Sequence, residues 1–178
     1  MDLIRKPESS YGGVLLKTRD GRAGARPLST RSSMHLVLRS SQAVRDWSFR
    51  KPRHERNIKK ILERFSVKYR VTVLSLGNAG NHLHLHIKLG NRLLYKPFIK
   101  AVTGAIAMSV TGASRWKPLA QKFWNYRPFT RIVEGARDFL NVKDYIEVNQ
   151  LEGLGYRRLE ARKIIADSKI RPWKYSSG

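Results

Sequence analysis

Three of the five histidines in this chain, His82, His84 and His86, alternate with Leu83, Leu85 and Ile87. In a β-strand residues two apart project from one face, so the imidazoles share a surface while the aliphatic residues face a core. Neutral imidazole is a good ligand for divalent transition metals, and same-face neighbours are close enough for two to hold one ion. Without an ion, clustering them gains little and risks mutual repulsion on protonation. A single histidine would be read as a polar surface group; three in alternation favour a metal pair, either His82 with His84 or His84 with His86. A divalent ion takes about six ligands, so the pair needs further oxygens from elsewhere. Tyr145-Ile146-Glu147-Val148-Asn149 offers them. On a helix Tyr145 and Asn149, four apart, are neighbours on one face. Phe139, Val142 and Ile146 form the adjoining apolar stripe, which would dock that helix on the sheet and bring a phenol and an amide to the margin of the histidine surface. The competing reading of Tyr145 is a border aromatic with a wet hydroxyl.

The elements that must position these groups follow from periodicity. Met34-His35-Leu36-Val37-Leu38 suits a buried strand. Residues 52–65 read as a helix, with Ile58, Ile61, Leu62 and Phe65 at i, i+3, i+4 and i+7. Residues 70–76 alternate and are β-branched, Gly77-Asn78-Ala79-Gly80 reads as a turn, and residues 82–89 return, which predicts an antiparallel hairpin. A second helix is expected over 93–110, with Phe98, Val102, Ala105 and Met108 on its inner face. Residues 123–133 read as a strand, with Pro128 at an edge or bulge. A third helix is expected over 136–149, stopped near Gly153 and Gly155, and a short basic helix over 157–166. The order strand, helix, strand, strand, helix, strand, helix predicts an α+β domain, an antiparallel sheet packed by helices in the ferredoxin-like manner. Residues 1–30 read as a basic, largely irregular arm, 31–151 as the functional domain, and 152–178 as a basic helix and tail.

Thirty-six Lys and Arg against 13 Asp and Glu give a formal net charge of +23. A chain this basic repels itself unless it meets a polyanion, and the commonest polyanion is nucleic acid. An apolar fraction of 41% is ordinary for a globular protein, so wholesale disorder is not expected. The absence of cysteine excludes disulfides, thiolate zinc sites and a cysteine nucleophile. No uninterrupted apolar stretch of membrane-spanning length is expected, since Lys100, Thr103 and Gly104 break the longest candidate, and the N-terminus has no secretory apolar core. A cytoplasmic, nucleoid-associated location is the default.

With these residues in place, the chain resembles the single-tyrosine HUH transposases, in particular the REP-associated tyrosine transposases. The resemblance rests on Gly80-Asn81-His82-Leu83-His84-Leu85 after a hairpin turn and on a later helix carrying Tyr145 and Asn149. His35-Leu36-Val37-Leu38-Arg39 and Arg26-Pro27-Leu28-Ser29 extend it, so that it covers roughly residues 26 to 151.

The resemblance implies His82 and His84 as metal ligands, Asn149 as a further ligand, and Tyr145 as nucleophile. Asn81 sets this register and leaves His86 as a possible alternative ligand. It also implies Mg²⁺ or Mn²⁺ as cofactor and single-stranded DNA as substrate, in imperfect hairpins of repetitive palindromic elements. The enzyme would act as a monomer or homodimer and pass through a 5′-phosphotyrosine intermediate. Holding the DNA would fall to Arg50, Lys51, Arg53, Lys96, Lys100, Arg115, Lys117, Arg127 and Arg131, with Trp116 and Trp124 available to stack on unpaired bases. The alternatives are a non-catalytic basic nucleic-acid-binding module, an HUH replication initiator or relaxase, and a metal-dependent nuclease that uses water.

Overall fold

The computed structural model describes residues 11–12, 27–125 and 127–170. Among these residues five strands form one sheet: β1 (Tyr11–Gly12), β2 (Met34–Arg39), β3 (Val71–Asn78), β4 (His82–Leu89) and β5 (Phe129–Ile132). Their order is β1-β5-β2-β4-β3 and every pairing is antiparallel. The described residues also form four α-helices: α1 (Pro52–Lys68), α2 (Tyr95–Thr111), α3 (Gly135–Gly153) and α4 (Arg158–Ile170). Strands β2 to β5 with α1 and α2 make the β-α-β-β-α-β arrangement, so the fold is α+β and ferredoxin-like as expected.

The hairpin β3–β4 divides the molecule. Leu83, Leu85 and Ile87 are fully buried with Met34, Leu36 and Leu38 of β2, beneath Ile58 and Leu62 of α1 and Phe98, Val102 and Ile106 of α2. The main core therefore lies on one face of the sheet. The opposite face, which carries the histidines, is covered by α3, whose Val142 and Ile146 are buried with Val133. Burial of an aliphatic side chain of this size stabilises by roughly 1.5–3 kcal/mol, enough to hold α3 in place. Helix α4 then packs on α3 through Val148, Ala161 and Ile165.

Several boundaries differ from expectation for identifiable reasons. Strand β5 spans only Phe129–Ile132, not 123–133. Pro128 has no N–H to give to a ladder, and upstream of it the chain turns into the core, where Trp124 Nε1 donates to the Thr103 carbonyl and Ser40 Oγ donates to the Phe123 carbonyl. Tyr126 lies outside the described residues. In α2 the buried positions are Tyr95, Phe98, Val102, Ile106 and Val110, while Met108 is 53% exposed. The inner stripe thus runs along i, i+4, i+8 rather than through Ala105 and Met108. Gly77 and Asn78 belong to β3, the turn being confined to residues 79–81, and α3 continues past 149 to Gly153.

The segment Arg92–Thr111 is, contrary to expectation, long and apolar enough by length and composition to cross a membrane, with a mean hydropathy of 1.2. Its large apolar side chains Phe98, Val102 and Ile106 face the sheet. Most of the arm expected over 1–30 lies outside the described residues; of the rest, Tyr11–Gly12 pairs with β5, the Pro27 carbonyl accepts from Thr130 Oγ1, and Leu28 packs on the core. The tail 171–178 lies outside the described residues.

Candidate functional site

Period-two alternation places His82, His84 and His86 on the face of β4 opposite its leucines, and the antiparallel register sets β2 beside them, with Val37 facing His84 and His35 facing His86. His35, at the same parity of β2, joins the cluster. Its Nε2 lies 3.1 Å from His84 Nδ1 and the two rings stack at 5.3 Å. The rings of His82 and His84 meet edge-on at 4.8 Å.

Helix α3 lies directly over this surface because two glycines let it. A Cβ on Gly77 would stand 2.6 Å from the Ile146 carbonyl oxygen, and one on Gly153 would stand 2.5 Å from that of Asn78. The Gln150 side chain also accepts from the Asn78 N–H at 2.5 Å. This close docking brings the Tyr145 ring to 5.3 Å from His84 and 5.6 Å from His35. Tyr145 is 38% exposed, so it touches the histidines and still opens to solvent. The Arg158 guanidinium of α4 sits 5.9 Å from its ring centroid. Tyr145 borders a groove of about 360 Å³ between α3 and α4, which Arg158, Arg162 and Lys169 also line.

Asn149 is buried beside His82 and His84, where its side chain favours their protonated forms. Its Nδ2 donates to the Tyr145 carbonyl at 2.6 Å, which leaves Oδ1 for the histidine side. Asn81 Oδ1 accepts from His82 Nδ1 at 2.6 Å, so the lone pair of His82 rests on Nε2. His84 Nε2 is buried and, among the described residues, has no hydrogen-bond partner.

Burial, reinforced by the Arg131 guanidinium, holds the His35 pKa down to about 4. Burial, then the neighbouring His35 and His82, presses His84 further still. Both rings are therefore neutral, the form that ligates metal. A buried, unpartnered nitrogen on a neutral ring, with an amide oxygen and a second imidazole next to it, fits a divalent ion. Among the described residues no group of three or more His, Cys, Asp or Glu is disposed to hold one, so an ion here would have to draw on His82, His84, the Asn149 amide and oxygens from solvent or substrate.

The other expected site residues separate. His86 Nε2 pairs with Ser33 Oγ at 2.8 Å and its ring lies 4.5 Å from Phe139, one rung from the Tyr145–Asn149 cluster. Arg50 donates to the Asn78 carbonyl at 3.1 Å, and Lys51 pairs with Asp46. Arg131 grips Asp138 through both terminal nitrogens at 3.2 and 2.9 Å, tying β5 to α3. Arg53 is exposed on α1, and Lys96 and Lys100 flank a groove between α1 and α2, on the face of the sheet opposite the histidines. Arg115, Trp116 and Lys117 project from the 112–128 segment; Trp116 is 88% exposed, with the Arg115 guanidinium 5.5 Å from its ring. Arg127 is exposed. Trp124 packs against Phe49 and Phe123 in the core. His35 is the residue the sequence reading passes over, although its parity with Val37 and Arg39, opposite to Met34, Leu36 and Leu38, already points it at the histidine face.

A strongly basic ferredoxin-like domain fits the class of proteins that handle nucleic acid. The family model for IS200-like transposases matches residues 29–149, and the chain belongs to that family. It is accordingly a transposase, a DNA-cleaving and DNA-joining enzyme. No curated protein matches it. Among solved structures it shares its fold with a REP-associated tyrosine transposase bound to a REP hairpin, at 12% identity and a TM-score of 0.52 over 74% of each chain. A putative transposase from Deinococcus radiodurans R1 aligns at 18% identity and a TM-score of 0.45, over 75% of this chain and 98% of that one.

Proposed function

We propose that this transposase cuts and rejoins single-stranded DNA by transesterification through Tyr145, within the cytoplasm and on hairpin-bearing substrates. The observation that carries the reading is the approach of the Tyr145 ring to 5.3 Å from His84, with Asn149 buried against both His82 and His84. His82, His84 and Asn149 would hold the divalent ion, Mg²⁺ or Mn²⁺. When bound it supplies Lewis-acid polarisation of the scissile phosphate.

The residues of the chain do the rest. Asn81 holds the His82 ring with Nε2 facing the site. The Tyr145 oxygen attacks phosphorus, its proton passing to solvent. The bond between phosphorus and the 3′ oxygen breaks and that oxygen takes a proton from solvent, leaving a 3′-hydroxyl and a 5′-phosphotyrosine. Attack by a second 3′-hydroxyl reverses the exchange, so the phosphodiester is conserved and joining needs no nucleotide triphosphate. Arg158 and Arg162 line the groove beside Tyr145, where they would meet the backbone phosphates of a bound strand. The likeness to a fold whose solved member is bound to a REP hairpin supports the hairpin substrate.

The test uses end-labelled hairpin DNA with Mn²⁺ on a denaturing gel. Wild type is expected to yield a denaturation-resistant protein–DNA adduct and Tyr145→Phe none. An adduct that survives Tyr145→Phe refutes the nucleophile, and cleavage without any adduct in wild type indicates attack by water. Metal-stimulated cleavage is expected to be lost in His82→Ala and kept in His86→Ala.

A further inference from the structure

We infer that His35 of β2 is a positioning residue for the ion site: its Nε2 accepts a hydrogen bond from His84 Nδ1–H and thereby turns the lone pair of His84 Nε2 toward the ion. The inference rests on the ion-binding reading above and extends it to a residue on a different strand.

The two nitrogens are 3.1 Å apart and both rings are buried. A neutral imidazole carries one N–H and one lone pair, and a ligating ring keeps its lone pair for the ion. A single proton lies between them, and two arrangements are possible. If His35 Nε2–H donates, His84 must carry no proton on Nδ1 and one on Nε2. His84 Nε2 would then carry an N–H in place of the lone pair that an ion needs. It would also repel any ion. If His84 Nδ1–H donates instead, Nε2 is bare, and a cation is the partner that satisfies it. A ligating imidazole is characteristically fixed in this way, through the N–H on its other nitrogen.

His35 is well held for the task. It lies within a six-residue strand paired on both sides, to β4 and to β5. Its ring is stacked on His84 and flanked edge-on by Phe129 and Tyr145. One imidazole thus steadies the ligand and also contacts the nucleophile-bearing ring.

The experiment combines nitrogen NMR of the metal-free full chain with Mn²⁺ titration followed by electron paramagnetic resonance. In wild type, His84 is expected to show a protonated Nδ1 and an unprotonated Nε2. His35→Leu, which has no acceptor, is expected to weaken Mn²⁺ binding by about 10- to 100-fold. His35→Gln, whose side-chain oxygen can accept the same hydrogen bond, is expected to restore most of it. A proton found on His84 Nε2 overturns the inference even if neither variant folds. Equal Mn²⁺ affinity in His35→Leu and wild type, or equal loss in His35→Leu and His35→Gln, overturns it too. His84→Ala separates the two levels. If it leaves Mn²⁺ binding unchanged, the ion-site reading fails and takes the inference with it. If it abolishes binding while His35→Leu does not, the ion site stands and only the role of His35 falls.

Discussion

Replacing Gly77 by alanine puts one methyl group between β3 and α3, and the geometry fixes what must follow. The new Cβ would lie 2.6 Å from the Ile146 carbonyl oxygen and 2.9 Å from its Cγ2, whereas ordinary contact begins at 3.4 Å, so the helix must retreat by about 0.8 Å. The nearest atom belongs to the backbone, which no rotamer change relieves. Overpacking of this kind costs roughly 1–3 kcal/mol. For a chain of this size each kcal/mol lowers Tm by about 2–4 °C, so a fall between about 2 and 12 °C is expected. The chemical effect should be larger than the thermal one. Ile146 sits between Tyr145 and Asn149, and a displacement near 1 Å in a positioning element costs about 100-fold in rate. The assays are circular-dichroism melting and single-turnover formation of the tyrosine–DNA adduct, measured well below Tm. Gly104→Ala is the control. It lies mid-way along α2 with nothing within 4 Å of an added Cβ. That change should raise stability by up to about 1 kcal/mol and leave the rate alone. A folded Gly77→Ala protein that forms adduct at the wild-type rate would refute the claim that close docking of α3 aligns the site.

The buried histidines and the two tryptophans make further expectations. His35 and His84 have pKa values depressed below the ordinary 6.5 by burial, so as pH falls through 6.5 the unfolded chain takes up protons that the folded chain refuses. Stability is therefore full above that value and falls by about 1.4 kcal/mol per pH unit for each ring until His35 itself titrates near pH 4. Urea melts in chelator at pH 7 and pH 5.5 should differ by about 2–3 kcal/mol, and a flat profile would contradict the burial argument. Trp116→Ala should weaken single-stranded DNA binding by roughly 1–3 kcal/mol with Tm unchanged, if the exposed ring stacks on a base. Trp124→Phe should do the reverse, costing about 0.5–1.5 kcal/mol of stability for the hydrogen bond to the Thr103 carbonyl and leaving DNA affinity alone.

The parts of the fold that were legible are those where one element carries its own signal. Residues 82–89 announce a strand by alternation alone, and His82–Leu89 is that strand. The i, i+4 pairing of Tyr145 and Asn149 needed only a helix, and the Nδ2 of Asn149 does fold back on the Tyr145 carbonyl. What stayed hidden depends on two segments meeting. Gly77 and Gly153 look like turn residues in isolation; their function as close-approach points exists only against Ile146 and Asn78. His35 required knowing that β2 lies beside β4 and in which register. The excess length expected of β5 came from aromatic residues 123 and 124, whose apolar area suits a core filled from a loop as well as it suits a strand. The basic residues were identified by type, and charge alone does not distinguish Arg131, engaged with Asp138, from Arg115 beside the exposed Trp116.

Under the proposed transesterification, the placement of Tyr145 and Asn149 on successive turns of one helix would have a consequence for the joining half of the reaction. A DNA end esterified to Tyr145 is tethered by a side chain to a rod that also carries the amide, about 5–6 Å along the axis. That end has no freedom to diffuse away between cutting and joining, and its local concentration at the place of reaction is set by the reach of one tyrosine. Joining is then bimolecular only in the arriving 3′-hydroxyl. The lifetime of the break depends on how long the enzyme keeps hold of that free end or meets another, and the helix itself keeps the attached end from being lost.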